Sequence, residues 1–325
     1  RSGVGEARRT AARLAELLGF SESAAGTLAL VVTEAATNIV KHAGHGELIF
    51  RALQSGSVGG IELLALDRGP GLANPSLAMR DGHSTAGSPG TGLGAMRRMA
   101  SEFDFHTTPG KGTALRLVVW AAAPPRTNGL AVGAVCLPKS GETACGDAWA
   151  IVPGGREAVL CVADGLGHGP DAATAARAAI AAVSETAARE SNPSHMIEAV
   201  HLSLRPTRGA AVAVARLSAE NQMCNFCGVG NISGCLISRS ASRSMVSHGG
   251  ILGHQVRKIH ELSYPFPDGA LCILHSDGLA TRWRLQDYPG LERTHPGLIA
   301  GVLYRDYSRR RDDTAVIVVR RSRDT

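Results

Sequence analysis

Four aspartates stand in turns that begin or end apolar runs of this 325-residue chain. They are Asp147, Asp164, Asp277 and Asp312, and each adjoins a glycine or a second aspartate. Carboxylates with little nitrogen or thiolate nearby suit hard divalent cations such as Mg²⁺ or Mn²⁺, whereas zinc prefers histidine and cysteine. A pair of such ions can generate a hydroxide at neutral pH and clamp a phosphoryl group during in-line displacement. One such segment alone would indicate only a turn, but the four together predict a metal site that hydrolyses phosphate esters.

A second set of polar residues lies within the first 120 residues. The apolar periodicity from Leu28 to His42 predicts a helix with one face in a core. Glu34 and Asn38 are four residues apart in this helix, so they share one face. Asp67 follows a strand-like run further along the chain. We therefore expect Glu34 and Asn38 to point together at a ligand.

Glycine-rich segments accompany these polar residues. They comprise Gly69 and Gly71 after Asp67, then Gly90, Gly92 and Gly94 before a predicted helix, and a Pro-Gly-Lys-Gly hairpin that leads into Thr113. The backbone N–H groups and the positive dipole end at a helix start favour anions. A lone Gly-x-Gly string is weak support for a nucleotide site, and the acidic residue and parallel strands of a dinucleotide fold do not follow it. The combination of segments carries the prediction.

The four acidic segments resemble, in their order, the PPM superfamily of metal-dependent serine/threonine phosphatases, in its short bacterial SpoIIE/RsbX-type branch. The resemblance covers about residues 129–321. It implies that Asp164 bridges two Mn²⁺ or Mg²⁺ ions and that the backbone carbonyl of Gly165 binds one of them. Asp277 and Asp312 would bind the other ion, and Asp147 would act mainly through metal-bound water. Because glycine lacks a Cβ, Gly165 can approach an ion closely and adopt a positive φ.

The N-terminal segments resemble the nucleotide-binding GHKL family, in its small anti-sigma kinase branch, over about residues 5–120. The resemblance implies ATP with Mg²⁺ as cofactor and Asn38 as a Mg²⁺ ligand. Asp67 would accept from the adenine amino group with support from Thr113, and the glycines 90, 92 and 94 would wrap the phosphates. Glu34 would be the base that takes a proton from a serine hydroxyl or water.

Residues 72–89 are polar and too long for a simple connection, which predicts a lid over the phosphate site, the alternative being a flexible loop. The Asp-Gly-His-Ser-Thr stretch at 81–85 is similar to the RsbT-type switch kinases, which phosphorylate serines on STAS-domain partners. The lid prediction therefore includes a contribution to the partner surface.

Other residues allow two interpretations from the sequence. His168 is either a proton donor to the leaving alkoxide or the cap of a helix that starts near residue 169. Lys111 suits a hairpin better than a phosphate loop. The arginines 309–311 are interpreted as a solvated basic edge, the alternative being a phosphate contact. Cys224-x-x-Cys227 indicates buried strand cysteines rather than zinc ligands.

The stretch 121–128 contains two prolines and no apolar periodicity, which predicts a linker. Residues 1–122 are expected to form a GHKL-type (Bergerat) α/β sandwich. Residues 129–325 are expected to form a PPM-type β-sandwich, flanked by helices near 169–190 and 194–204. The predicted fold class is α/β, of the α+β kind.

The overall charge and composition limit the classes of partner that the chain could bind. The net charge is +6 at a pI near 9.1, but the basic residues are scattered and only 4% of residues are aromatic, which disfavours nucleic acid. Binding to an acidic protein partner is the alternative that the net charge leaves open. Seven cysteines, an odd number mostly in apolar runs, indicate a reducing cytosol. No apolar run is expected to reach the length needed to span a bilayer, and no signal-peptide pattern opens the sequence. We therefore expect a cytoplasmic protein without membrane partners.

These features predict a bacterial partner-switching regulator. A metal-dependent phosphoserine/phosphothreonine protein phosphatase would be fused to an ATP-binding, switch-kinase-like domain. Both would act on a STAS-domain protein of an anti-anti-sigma or stressosome circuit, and tethering would raise their local concentration around it. One alternative is an N-terminal anti-sigma or binding module that uses nucleotide without transferring phosphate. Another is a hydrolase of a small phosphate ester.

Overall fold

The computed structural model describes residues 2–79, 92–124, 130–238, 241–256 and 258–321. The chain forms two compact units. Unit 1 comprises Arg1–Thr127 with Arg284–Arg305, and unit 2 comprises Asn128–Trp283 with Asp306–Thr325. A segment from the second half of the chain thus groups with the first half. The linear domain division at the 121–128 stretch stays a prediction, and residues 125–128 of that stretch lie outside the described part.

Unit 1 starts with two helices and continues as a four-stranded antiparallel sheet in the order β1-β2-β4-β3. Its N-terminal elements are α1 (Ser2–Leu17), α2 (Glu22–His42), β1 (Gly46–Ser55), β2 (Val58–Asp67), α3 (Pro75–Ala78), α4 (Leu93–Met99), β3 (Glu102–Thr108) and β4 (Gly112–Trp120). Helices α1, α2 and α4 share one apolar core with the sheet. The predicted α/β sandwich is confirmed.

Helix α2 has the end signals that its sequence indicates. The Ser21 hydroxyl accepts a hydrogen bond from the backbone N–H of Ala24 at 3.2 Å, and Lys41 and His42 lie at the negative dipole end. Its buried stripe consists of Leu28, Val31, Val32, Ala35, Ala36 and Ile39. By length and hydropathy alone α2 could also cross a membrane. The expectation that no apolar run reaches that length was therefore wrong, and the stripe instead packs into the core of unit 1.

Unit 2 contains two five-stranded sheets, in the orders β11-β10-β13-β14-β5 and β12-β9-β8-β7-β6. The strands are β5 (Leu130–Leu137), β6 (Asp147–Gly154), β7 (Glu157–Gly165), β8 (Ala210–Ser218), β9 (Met223–Val229), β10 (Ser233–Ile237), β11 (Ser242–Met245), β12 (Leu262–Pro265), β13 (Leu271–His275) and β14 (Thr314–Arg321), with helices α5 (Pro170–Ala187) and α6 (Pro193–Ser203). The predicted β-sandwich with flanking helices is confirmed.

The alternation along β7 shows how this sandwich is built. Leu160 and Val162 point into the core between the two sheets, whereas Val159, Cys161 and Ala163 point into the layer beneath α5 and α6. A strand buried on both faces reads as one apolar run because successive side chains alternate between them. The cysteines of the Cys-x-x-Cys segment in β9 divide in the same way between the two cores, and both are fully buried. The interpretation as buried strand cysteines is confirmed.

The second face of the unit 1 sheet is covered by residues 284–305. This segment contains two 3₁₀ turns, Leu285–Asp287 and Leu291–Arg293, and most of helix α7 (Pro296–Tyr307). A Cβ at Gly301 would lie 3.2 Å from Leu66 and 3.3 Å from Leu64. Gly297 adjoins the buried ion pair of Glu62 and Arg116, whose Oε1 and Nε atoms are 2.5 Å apart. These small residues therefore let the helix approach the sheet closely.

Candidate functional site

The four predicted metal-site aspartates lie at strand ends of unit 2. Asp147 is the first residue of β6, and Asp164 is the last but one of β7. Strands β6 and β7 are antiparallel neighbours, and their register pairs Asp147 with Asp164. Asp277 follows β13 and Asp312 precedes β14, and these strands are neighbours in the other sheet. Each sheet thus supplies two carboxylates.

The carboxylates interact electrostatically. Burial raises the pKa of Asp164 to about 7, with further contributions from the charges of Asp277 and Asp312, while a hydrogen bond from Asn231 opposes the shift. Burial, followed by the charge of Asp164, raises the pKa of Asp147 well above its ordinary value. Neighbouring carboxylates repel one another when all of them are ionised, so they disfavour simultaneous ionisation. A divalent cation would relieve that repulsion.

Two side chains that the sequence analysis missed orient these carboxylates. The Ser276 hydroxyl donates to Oδ2 of Asp147 at 2.5 Å and accepts from the backbone N–H of Ala315 at 3.0 Å. The Asn231 amide donates to Oδ2 of Asp277 at 2.8 Å. Ser276 stands directly before Asp277, so the Ser-Asp-Gly turn was a usable signal for it. Asn231 follows β9, and no local pattern marked it.

Asp313 is a third side chain that was missed as a site residue, and it carries a carboxylate. Its Oδ1 accepts from the backbone N–H of Lys139 at 2.8 Å. Its Oδ2 is buried and has no hydrogen-bond partner. A buried charged oxygen without a partner is costly, and a nearby cation would compensate it. The adjacent Asp312 is exposed, so the Asp-Asp pair presents one carboxylate to solvent and one to the interior.

The donor set fits a hard divalent cation. In the ranges that the structure describes, no three acidic, histidine or cysteine side chains form a ready-made metal shell. Mg²⁺ usually keeps several waters and binds through one or two carboxylates, so a shell of three protein side chains is not required. Carboxylates with an unpartnered buried oxygen suit Mg²⁺ or Mn²⁺ better than zinc. Asp164, Asp277, Asp312 and the carbonyl of Gly165, with Asp147 acting mainly through metal-bound water, stay the predicted groups that would hold such ions.

Gly165, the last residue of β7, is a glycine for a different reason than expected. Its φ is not in the left-handed region, which is occupied instead by Gly167 and Gly169, so the predicted positive φ was wrong. A Cβ at Gly165 would lie 2.1 Å from the carbonyl oxygen of Ala172 in α5. The close approach of the helix therefore excludes a side chain. The Gly165 N–H donates to the carbonyl of Gly146 at 3.0 Å.

His168 does not cap helix α5. The helix begins at Pro170 with Gly169 as its N-cap residue, so the capping alternative was wrong. Nδ1 of His168 lies 3.0 Å from Oε1 of Glu142, and the imidazole is 53% exposed. The role as a proton donor stays a prediction. The arginines 309–311 are all exposed, as expected of a solvated basic edge.

Glu34 and Asn38 lie on one face of α2 in unit 1, and both are half-buried. Burial raises the pKa of Glu34, and the charge of Lys41 partly opposes this shift. A glutamate with a raised pKa holds a proton more readily, as a general base requires.

Asp67 is fixed by its own turn and by the neighbouring hairpin. Its Oδ1 accepts from the N–H groups of Gly69 at 2.8 Å and Thr113 at 3.1 Å. Thr113 thus supports Asp67 through its backbone, while its hydroxyl lies 3.2 Å from that of Thr107. A Cβ at Gly69 would lie 2.8 Å from the Cβ of Ala43, the C-cap of α2. The Asp67 turn therefore lies against the end of the helix that carries Asn38.

The remaining predicted nucleotide residues surround this turn. Gly71 has φ +72°, and a Cβ there would lie 2.5 Å from the carbonyl oxygen of Thr108. Gly92 is the N-cap residue of α4, and Gly94 is buried within that helix, which packs against α2. Gly90 lies outside the described residues, as does most of the predicted lid at 72–89. Lys111 lies in the turn between β3 and β4, which confirms its interpretation as a hairpin residue. Its Nζ donates to the carbonyl oxygen of Asp287 at a distance of 3.0 Å.

Comparisons with known proteins find relatives for both halves of the chain. Residues 2–119 match the histidine kinase-like ATPase domain, and residues 154–322 match the family described as Stage II sporulation protein E (SpoIIE). Serine/threonine-protein kinase RsbT of Bacillus subtilis (strain 168) is 31% identical over 114 residues, which are 35% of this chain and 86% of RsbT. Phosphoserine phosphatase RsbX of the same organism is 31% identical over 144 residues, which are 44% of this chain and 71% of RsbX.

A solved structure has the fold of unit 2. The crystal structure of RsbX in complex with magnesium is 24% identical, with a TM-score of 0.53, and the match covers 61% of this chain and 98% of that chain. The SpoIIE match spans about half of this chain, and the N-terminal match takes in most of RsbT. The chain therefore belongs to the SpoIIE family, with an RsbT-like histidine kinase-type ATPase domain preceding the phosphatase domain.

Proposed function

We propose that unit 2 removes phosphate from phosphoserine or phosphothreonine of a protein, with two Mg²⁺ or Mn²⁺ ions as cofactors. The observation that carries this proposal is the pairing of Asp147 with Asp164 across neighbouring strands, beside further carboxylates that raise the pKa of Asp164. A bound cation would favour the ionised forms of Asp147 and Asp164. RsbX, a phosphoserine phosphatase by name, supports the reaction class.

The chain's own residues would position this chemistry. Bound divalent ions would polarise a phosphoryl oxygen and lower the pKa of water. Ser276 fixes the orientation of Asp147 because its hydroxyl both donates to the carboxylate and accepts from β14. The Asn231 amide orients Asp277 by donating a hydrogen bond to its Oδ2.

Arg208 is a cation beside the turn that follows Asp164. Its Nη2 lies 2.6 Å from Oδ2 of Asp171, and its Nη1 lies 3.5 Å from where a Cβ would stand at Gly167. The side chain is 54% exposed, so it is available to a substrate phosphate. Arginine matches phosphate oxygens through paired N–H donors. We therefore assign the substrate phosphate contact to Arg208 rather than to the arginines 309–311.

Unit 1 is proposed to bind ATP with Mg²⁺ and to transfer its terminal phosphate to a serine or threonine. Asn38 would hold the ion, Asp67 would recognise the adenine amino group, and Glu34 would take the hydroxyl proton. The half-buried position of Glu34 and its raised pKa support the transfer role over nucleotide binding alone. A nucleotide-dependent binding module without kinase activity is the rival function.

The proposed partner is a STAS-domain phosphoprotein of a sigma-factor or stressosome circuit in the cytoplasm, without nucleic acid or membrane. The relatives support it because one is named a serine/threonine kinase and the other a phosphoserine phosphatase. The two opposing reactions would then meet on one substrate held near a single chain.

Labelled phosphate tests both halves. The full chain is incubated with γ-labelled ATP and a STAS-domain protein, and the incorporation of label into the STAS-domain protein is measured. ATP is then removed, Mn²⁺ is added, and the release of label from that protein is measured. Label that never appears, while ATP binds, would leave unit 1 as a binding module. Release from p-nitrophenyl phosphate at higher catalytic efficiency than from the phosphoprotein would favour a small-ester hydrolase.

A further inference from the structure

Two thiols face each other beside the carboxylate cluster. Cys136 lies near the end of β5 and Cys145 lies in the turn before β6, and their Sγ atoms are 3.7 Å apart. Both side chains are partly exposed, and all seven cysteines, each within the described ranges, are free thiols. A disulfide requires an S–S distance of about 2.05 Å, so the two sulfur atoms would have to approach by about 1.7 Å.

We propose that Cys136 and Cys145 form an oxidation site at which hydroperoxides create a disulfide that switches off the adjacent phosphatase centre. The peroxide oxidises one thiol to a sulfenic acid and is itself reduced to water or an alcohol. The second thiol then attacks the sulfenic sulfur, which forms the S–S bond and releases one water. The two thiols together lose two electrons and two protons. A dithiol reductant reverses the reaction by exchange.

The turn that carries Cys145 is connected to the predicted metal ligands. Sγ of Cys136 contacts the carbonyl oxygen of Asp147 at 3.5 Å. The carbonyl of Gly146 accepts from the N–H of Gly165 at 3.0 Å. A Cβ at Gly146 would lie 2.6 Å from Oδ2 of Asp313, so the turn is tightly packed. Closing the disulfide therefore displaces both Asp147 and Gly165.

The size of the effect follows from that displacement. Catalytic groups misplaced by about 1 Å can lose roughly 10²-fold in rate. We therefore expect oxidation to lower the turnover of unit 2 by about 10- to 100-fold. This consequence rests on the proposed phosphatase function, whereas disulfide formation itself does not.

Other cysteines in unit 2 provide internal comparisons. Cys224 and Cys272 are also in hydrogen-bond contact, but both are fully buried in the sandwich core. A peroxide cannot reach them in the folded chain. Cys235 is partly exposed like the proposed pair, but its Sγ lies 3.3 Å from the hydroxyl of Ser242 rather than from a thiol. Cys235→Ser is therefore the matched control.

Mass spectrometry tests the site without reference to activity. The reduced full chain is treated with hydrogen peroxide, free thiols are alkylated, and peptides are mapped before and after reduction. We expect one cross-linked peptide joining Cys136 to Cys145, which persists in Cys235→Ser and is lost in Cys136→Ser and in Cys145→Ser. Sulfinic acid at either position without the cross-link, or a cross-link of Cys224 to Cys272 instead, would overturn the assignment.

Turnover of p-nitrophenyl phosphate and binding of Mn²⁺, followed by calorimetry, test the switch. Both should fall on oxidation and recover with dithiothreitol, and the activity retained by Cys145→Ser should be insensitive to peroxide. A cross-linked chain with unchanged turnover and unchanged Mn²⁺ affinity would refute the switch. An inactive reduced chain would count against the proposed phosphatase function, and the Mn²⁺ affinity and peptide map would still decide the oxidation site.

Discussion

At the scale of single residues, Asp164 would link the proposed metal binding to pH. Its pKa of about 7 in the folded chain compares with an ordinary value near 3.9. At a pH between these two pKa values, Asp164 is protonated in the folded metal-free chain and ionised in the unfolded chain. The free energy of unfolding therefore falls as pH rises from about 4 to about 7. An ion bound by Asp164, as proposed, would expel the same proton, so rising pH would favour metal binding over that window.

We therefore predict that the melting temperature of the metal-free chain, minus that of the Asp164→Asn variant, falls between pH 4 and pH 7. Above pH 7 this difference should be constant. The apparent affinity for Mn²⁺ should rise by up to about tenfold per pH unit below 7. Differential scanning calorimetry and Mn²⁺ titrations measure these slopes. Parallel stability curves for the two chains would show that Asp164 ionises at an ordinary pH.

Ser276 is expected to matter only through the carboxylate that it orients. Ser276→Ala removes the hydrogen bond to Asp147 and should weaken Mn²⁺ binding by roughly 10-fold, as the loss of a group supporting a metal ligand does. Ser247→Ala is the matched control, because the Ser247 hydroxyl donates to the carbonyl of Ile232 at 2.6 Å instead. Both variants should lose about 1 kcal/mol of stability. Equal Mn²⁺ affinities in the two would argue against the orienting role.

Turns between neighbouring elements hold the proposed nucleotide-binding residues of unit 1 in place. The β3–β4 hairpin contains two glycines with positive φ, Gly110 at +75° and Gly112 at +89°. A Cβ at Gly110 would meet nothing within 4 Å, whereas one at Gly112 would lie 2.0 Å from the carbonyl oxygen of Asp67. The same backbone conformation thus has different consequences at the two positions.

This contrast gives a paired prediction. Gly110→Ala should cost about 1–2 kcal/mol from left-handed strain alone. Gly112→Ala should cost more and should weaken ATP binding by at least about tenfold, because the clash displaces Asp67 from its two N–H donors. Urea unfolding and ATP calorimetry separate the two effects. An equal loss of ATP affinity in both variants would show that the hairpin, rather than Asp67, is affected.

At the scale of the whole molecule, the two candidate sites are built from different compact units. Asn38 and Asp67 belong to unit 1, and Asp147 and Asp164 belong to unit 2. The sites should therefore respond separately to substitution.

We expect Asp164→Asn to lose Mn²⁺-dependent dephosphorylation by about 10²-fold or more, which is the loss expected when a metal ligand is removed, while ATP affinity is unchanged. Asn38→Ala should lose Mg²⁺-dependent ATP binding and keep phosphatase turnover. Calorimetry with ATP and turnover of a phosphoprotein measure the two activities on each variant. Normal ATP affinity in Asn38→Ala would remove Asn38 from the proposed metal ligands.

Patterns among residues that are neighbours in the sequence determined much of the secondary structure and of the candidate sites. The apolar periodicity of α2 located Glu34 and Asn38 on one helix face, because side chains four residues apart lie one turn apart. The turns after β7 and β13 were visible as Asp-Gly pairs, because glycine and aspartate favour tight turns at strand ends. These signals depend on neighbours in the sequence, so the two folds and most candidate ligands could be predicted from it.

Only the tertiary structure decided the contacts between distant segments. Ser276 reaches Asp147 across 129 positions of the chain, and residues 284–305 group with unit 1 although they lie in the second half of the sequence. The 3.7 Å separation of Cys136 and Cys145 likewise depends on how β5 and the turn before β6 pack. The physical reason is that packing between sheets and helices selects these partners by shape and burial, which no local pattern of residue types records.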